Sequence, residues 1–255
     1  MWANGVCARS GSSINGGGAG AVYEHRLDLA AIRRGLLDVQ AAFPEINARL
    51  EMKREAMSDR VLAFMMEGYA QVDRLLADRV DALAMGHLSE LLELNHRVLC
   101  GADPEERRHV HRHLDATERA FWDDERGGIR DVREWYERNR QTSMWRRAAG
   151  VYVRILSEPQ LFIEGNHRTG ALVMSYLLAR EGAPPFVLTV DNATAYFRPS
   201  TLIRRTRKSA PSSLWRIPHL IGTFAEYLRT NMRREFLLPA GGDPEDRRDA
   251  AAGGA

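Results

Sequence analysis

Cysteine, lysine and long apolar runs are scarce in this chain. Its two cysteines, Cys7 and Cys100, are too few for a disulfide framework and lack the spacing of a zinc site. A reducing, cytoplasmic setting suits them best. No apolar stretch approaches the ~20 residues that span a bilayer, and no positive head precedes an apolar run at the N-terminus. The expectation is a soluble protein with no membrane partner. Excess charge is missing too: 36 Lys+Arg against 34 Asp+Glu leaves a net charge of +2. No global field therefore draws the chain to nucleic acid or lipid, and any anion site must be local. Lys53 and Lys208 are the only lysines. The remaining basic residues are arginines, whose rigid forks suit phosphate or carboxylate.

What is present is enough apolar material, 44% of 255 residues, for a well-packed core. Residues 1–20, rich in Gly and Ser, and 239–255, rich in Pro, Gly, Ala and charge, read as disordered tails. Residues 21–238 form the expected domain. Its dominant period is helical: Val61, Met65, Tyr69, Val72, Leu76, Val80 and Leu83 recur at spacings of three and four. A second stripe from Leu88 to Leu99 stops at Gly101. The polar segment 101–128 reads as a long connection holding at most a short hairpin or helix. Helices are expected at Asp131–Asn139, Met144–Leu156, Thr169–Arg180 and about Leu214–Phe236, with short helices ahead of them and one short strand at Phe186–Val190. The fold class is mostly α, a helical bundle with at most a short β-hairpin or strand.

One segment carries chemistry: Pro159-Gln160-Leu161-Phe162-Ile163-Glu164-Gly165-Asn166-His167-Arg168-Thr169-Gly170. A loop that ends in Gly-Asn and feeds a helix presents free amides at the positive end of the helix dipole, which is an anion cradle. Gly165 permits close backbone approach. Arg168 adds a bidentate fork for phosphate oxygens, and Glu164 a hard carboxylate able to share Mg²⁺ with phosphates.

In order and spacing, Phe162, Glu164, Gly165, Asn166 and Arg168 resemble the motif of the Fic/Doc family, His-x-Phe-x-(Asp/Glu)-Gly-Asn-x-Arg. The resemblance covers roughly residues 60–205 and is specific at 160–170. It implies a Fic-like helical domain that moves AMP, or a phosphoryl or phosphocholine group, onto a hydroxyl of a target protein. It further implies ATP or another nucleotide as substrate, Mg²⁺ on Glu164, phosphates on Gly165, Asn166 and Arg168, and Asn192 and Tyr196 near the base. Met66-Glu67-Gly68 resembles the end of the family's inhibitory helix, which makes Glu67 a regulatory candidate, although Ala63 stands where that pattern has Ser or Thr.

Two departures qualify the likeness. The histidine that takes the proton from the target hydroxyl is here Gln160, and an amide cannot do so; losing a general base costs ~10²–10⁴ in rate. Ala171 stands where AMP-transferring members carry a second arginine. His167 and, more weakly, Glu158 are substitute bases by sequence position, and a protonated His167 could instead supply the cation that Doc takes from lysine. The expected function is a diverged Fic-type protein that binds a nucleotide phosphate with Mg²⁺ and is weak or inactive in transfer. The alternatives are a catalytically silent protein-interaction module and a Doc-like phosphoryl transferase. Two further features read as structural. His109, His111 and His113 would share a face on a strand, yet the arginines among them oppose a metal. Arg204, Arg205, Arg207 and Lys208 lack interleaved aromatics, so a solvated helix face is preferred to a nucleic-acid site.

Overall fold

Asp28, Ser58, Ser143 and Thr189 each stand immediately before a helical repeat, and each turns its side-chain oxygen onto an amide of the first turn. A computed structural model describes residues 25–238. The two tails expected from composition, and Cys7, lie outside the described residues. Among those described, ten α-helices account for the fold: α1 Leu29–Ala48, α2 Asp59–Ala77, α3 Ser89–Cys100, α4 Pro104–His109, α5 His111–Trp122, α6 Ile129–Arg138, α7 Met144–Leu156, α8 Asn166–Ala179, α9 Val190–Arg204 and α10 Ser213–Asn231. The protein is mostly α. No described helix is long and apolar enough to cross a membrane.

Helix α8 is the centre of the bundle. From Thr169 to Ala179 every residue is buried. Helices α2, α3 and α7 pack around it, and α10 lies against α7. Close approach depends on small residues at the crossings. A Cβ on Gly68 of α2 would sit 2.3 Å from Leu172, and one on Gly150 of α7 would sit 1.7 Å from the Trp135 ring of α6. The first and last described segments meet beside α1, where the Asp28 amide donates to Phe236 O at 3.0 Å and the Leu238 amide to Arg26 O at 2.8 Å.

The structure corrects several expectations. The short strand at Phe186–Val190 does not form. Its carbonyls are taken by side chains instead: Tyr69 Oη donates to Phe186 O at 2.9 Å and Asn192 Nδ2 to Val187 O at 2.9 Å. Val190 already belongs to α9. The connection 101–128 is largely helical, because Asp103 caps and Pro104 fills the first position of α4. The histidines consequently sit on α4 and α5 rather than on one strand. His109 and His111 each bond a backbone carbonyl of the preceding turn, and no cluster of three metal-ligating side chains occurs among the described residues. The N-terminal part is one helix of 20 residues, not several short ones. Nor is the basic run a single solvated face: Arg204 ends α9, while Lys208 is buried with Nζ 3.3 Å from Asp131.

Gly150→Ala should lower stability by about 1–3 kcal/mol, because the new methyl group overlaps a buried indole. Gly222→Ala, where a Cβ meets nothing within 4 Å, should raise it by about 0.5–1 kcal/mol. Denaturant unfolding of the two variants beside the parent checks the pair, and a stabilised Gly150→Ala would show that the α6–α7 crossing has room to spare.

Candidate functional site

The loop that opens α8 is shaped by two side chains, Asn166 and Asn95. Asn166 does not cap its own helix. It turns back, Oδ1 accepting from the Phe162 amide at 3.0 Å and Nδ2 donating to Phe162 O at 2.8 Å, which closes the loop into a ring. Phe162 anchors that ring in the core, stacked on Phe121 with centroids 5.6 Å apart. From α3, fully buried Asn95 donates to Glu164 O and Thr169 Oγ1, both at 2.9 Å. Gly165 lies between these holds in the left-handed region, φ 75°, where a Cβ would come within 2.9 Å of Asn95 Nδ2. Glycine is needed there for both backbone and space.

The closed loop leaves its amides unused. Between Phe162, whose amide bonds Asn166, and Thr169, whose amide bonds Gly165 O, the N–H groups of residues 163–168 have no acceptor among the described residues. They stand at the positive end of a 14-residue buried helix.

Gly165, Asn166, His167 and Arg168 line a cavity of about 350 Å³ that extends between α2, α9 and the connector from α1, a size suited to a small ligand. Its depth is apolar and aromatic, with Phe43, Met65, Tyr69, Phe186 and Phe197. Arg168 is mostly buried. Its Nη1 donates to Val98 O at 2.7 Å and it forms no ion pair among the described residues. Burial lowers its pKa, and the more distant charges of Glu55 and Glu164 oppose that shift.

The other predicted residues divide between this cavity and places outside it. Tyr196 lines it, with its hydroxyl in an internal chain. Asn192 is buried in the capping box of α9, where it bonds Thr189 and Val187, and is not among the residues that line the cavity. Glu164 points outward, two-thirds exposed, with Oε2 3.8 Å from His113 Nε2. Gln160 faces a separate depression on the far side of the loop, shared with Pro159, Ile163, Arg126 and Arg207. There its Nε2 donates to Leu156 O at 3.2 Å and its Oε1 accepts from Asn166 at 3.4 Å. Glu67 lies 3.8 Å from Arg97 of α3 and lines a different depression, so it is not among the residues of the cavity at the 160–170 loop. Sequence reading missed Arg54, Tyr69 and Arg204, which line the cavity from connector, α2 and α9; none lies in a motif.

His167 is not the cation that its sequence position allowed. Arg54 Nη1 lies 3.2 Å from Nε2, and an arginine only donates, so Nε2 accepts and Nδ1 carries the proton. That proton faces Tyr152 Oη at 3.3 Å; Tyr152 donates to Tyr196 at 2.9 Å, and Tyr196 returns to His167 O at 3.3 Å. Every proton in the circuit has an acceptor only if the ring is neutral. Burial, reinforced by Arg54 and Arg204, pushes its pKa down to about 3.

Because the folded value lies below the ordinary 6.5, the unfolded chain takes up a proton between these limits that the folded chain refuses. The stability contributed by the neutral ring is complete above pH 6.5 and falls as the pH is lowered toward 3, by up to about 1.4 kcal/mol per unit. Unfolding free energies at about pH 7 and about pH 4.5 should differ more in the parent than in His167→Gln. Equal differences would mean that His167 ionises normally in the fold.

No family model matches the chain, and no curated protein matches it. Two solved structures of Fic-1 from C. elegans, both of residues 134 to 508 and one a point variant, resemble it in fold. The variant is 19% identical, with a TM-score of 0.43 over 84% of this chain and 61% of that one. The other is 20% identical, with a TM-score of 0.39 over 79% and 64%. The chain thus spans less than two thirds of the length of either structure.

Proposed function

We propose that this chain is a diverged Fic-type protein that binds the phosphates of a nucleotide at the start of α8, and that it is weak or silent in transferring AMP to a protein hydroxyl. The observation that carries the binding half is that Gly165, Asn166, His167 and Arg168, whose amides have no acceptor among the described residues, line one cavity together with an Arg168 side chain that forms no ion pair among those residues. An anion is the natural acceptor for such a set. The aromatic depth of the cavity suits a base. Glu164, exposed and free of a close cation, is the one loop carboxylate that could share Mg²⁺ with those phosphates. Bound there, the ion would offset phosphate charge.

The silent half rests on Gln160. Its amide has no basic lone pair for a hydroxyl proton, and both its polar atoms are already hydrogen-bonded, to Leu156 at the end of α7 and to Asn166 at the start of α8. His167 cannot replace it, since its Nε2 already accepts from Arg54 and its Nδ1 proton is committed to Tyr152.

Calorimetric titration of the full chain with adenosine, AMP and ATP, each with and without Mg²⁺, tests the reading. Phosphate-bearing ligands should bind and adenosine should not, and Arg168→Ala should weaken binding by about tenfold or more. Equal affinity for adenosine and AMP, or no binding at all, would sink the proposal. Intact mass after incubation with ATP, Mg²⁺ and lysate proteins should show no label with the parent. Label on the chain itself or on a target with Gln160→His would place the lost base at that position.

A further inference from the structure

Besides Arg168, the cavity wall carries a second cation, Arg54, that forms no ion pair among the described residues, although Glu55 also lines the cavity. Arg54 lies in the connector between α1 and α2, and one side chain fixes its backbone at both hydrogen-bonding groups. Its amide donates to Asn47 Oδ1 at 2.8 Å, and its carbonyl accepts from Asn47 Nδ2 at 3.1 Å. Lys53 folds back beside it onto the carbonyls of Asn47, Ala48 and Leu50, at 3.0, 2.9 and 3.2 Å. The connector is therefore built, although it has no regular secondary structure.

From that fixed backbone the Arg54 guanidinium lies over the Phe197 ring, 5.3 Å from its centroid. Nη2 donates to Thr201 Oγ1 at 2.8 Å and Nη1 to His167 Nε2 at 3.2 Å. All three partners are neutral. Nε is buried with no acceptor, and no carboxylate pairs with the group among the described residues. Arg204, one turn beyond Thr201 on α9, adds a like charge to the same wall. The acidic neighbours Glu55 and Glu164 act on Arg168.

A half-buried guanidinium without a carboxylate is costly unless an anion completes it. Its position says which kind. His167 and Arg168 are consecutive on α8, so their side chains leave the axis about 100° apart. Arg54, held at His167, is on the α9 side of the free amides; Arg168, held at Val98, is on the α3 side. One phosphate on the amides with Arg168 leaves Arg54 without a counter-ion, whereas a chain of phosphates laid across the helix end reaches both. We infer that Arg54 is a second phosphate-binding residue of this cavity and selects ligands with two or more linked phosphates over monophosphates. This inference rests on the phosphate reading above.

The test is calorimetric titration of the parent, Arg54→Ala, Arg54→Gln, Thr201→Val and Arg168→Ala with AMP, ATP, CMP and CTP, after thermal melting of each variant. The parent should prefer the triphosphate of a pair, and Arg54→Ala should shrink that preference about tenfold or more. Arg54→Gln keeps a donor for Thr201 but no charge, and should lose the preference equally, which decides the matter if the alanine variant melts poorly. Thr201→Val removes the tie to α9 without touching charge and should keep the preference within about threefold. A purely structural Arg54 gives the opposite pattern: Arg54→Ala and Thr201→Val lower the melting temperature alike while the triphosphate preference survives in Arg54→Gln. That result overturns the inference, as does a parent that binds nucleotides without preferring the triphosphate. Binding abolished by Arg168→Ala with the preference intact in both Arg54 variants leaves the phosphate reading standing alone. A parent that binds none of the four ligands sinks both.

Discussion

A helix buried on every side still has to account for its first amides, and α8 does so in an unusual way. Gly165, at the cap position, has no side chain to offer, and Asn166, the first helical residue, spends both ends of its side chain on Phe162. The loop is thereby closed and stiffened, while the N–H groups that a cap would have satisfied face a cavity. Unsatisfied donors of that kind are tolerated only where water or an anion can reach them. The rest of the domain maintains this arrangement: Asn95 of α3 holds the loop from below, Gly165 leaves room for it, and Phe162 pins the far end to Phe121.

The cavity is consequently made of parts that are distant in sequence and have different mechanical support. The side formed by Gly165 to Arg168 hangs on α3 and α8. The opposite wall hangs on the α1–α2 connector, fixed by Asn47, and on α9, started by the Thr189 capping box. Between them runs the circuit from Arg54 through His167, Tyr152 and Tyr196, which is complete only with a neutral imidazole. A histidine next to a phosphate site is commonly read as a cation. Here burial and the neighbouring arginines decide against it, and the positive charge on that wall belongs to Arg54 and Arg204 instead.

Much of the helical framework was legible because its signals are local. The limits Met144–Leu156 expected from the sequence are those of α7, whose first turn Ser143 caps. The loop at 160–170 stood out because five residue types occur there in a fixed order, and three of them, Gly165, Asn166 and Arg168, come together at one cavity. Non-local satisfaction was not legible. Phe186–Val190 has strand-like composition, yet Tyr69 and Asn192 take its carbonyls, so no partner strand is required. Asp103-Pro104 breaks a helix in one direction and starts one in the other, and only the packing of α4 and α5 tells which. Asn192 and Glu67, assigned to the site by resemblance, are held elsewhere by a capping box and by Arg97. Arg54 sits in no motif, and its significance lies in the carboxylate that is not beside it, a property of the folded surroundings.

The two sides of the 160–170 loop are also separable, which bears on how Gln160 can coexist with the cradle proposed for phosphates. Residues 158–160 are tied to the segment after α9: the Glu158 amide donates to Thr206 O at 2.9 Å and the Lys208 amide to Glu158 O at 2.7 Å. Residues 164–169 are tied to α3 through Asn95. Because these anchors are different, a change at position 160 need not disturb the amides at 163–168. The one bond that crosses, Asn166 Nδ2 to Gln160 Oε1, is long at 3.4 Å, and Asn166 keeps its place through Phe162 without it. Under the proposed function, Gln160 would therefore bear on proton transfer at one face of the loop without weakening the support of Gly165, Asn166 and Arg168 at the other.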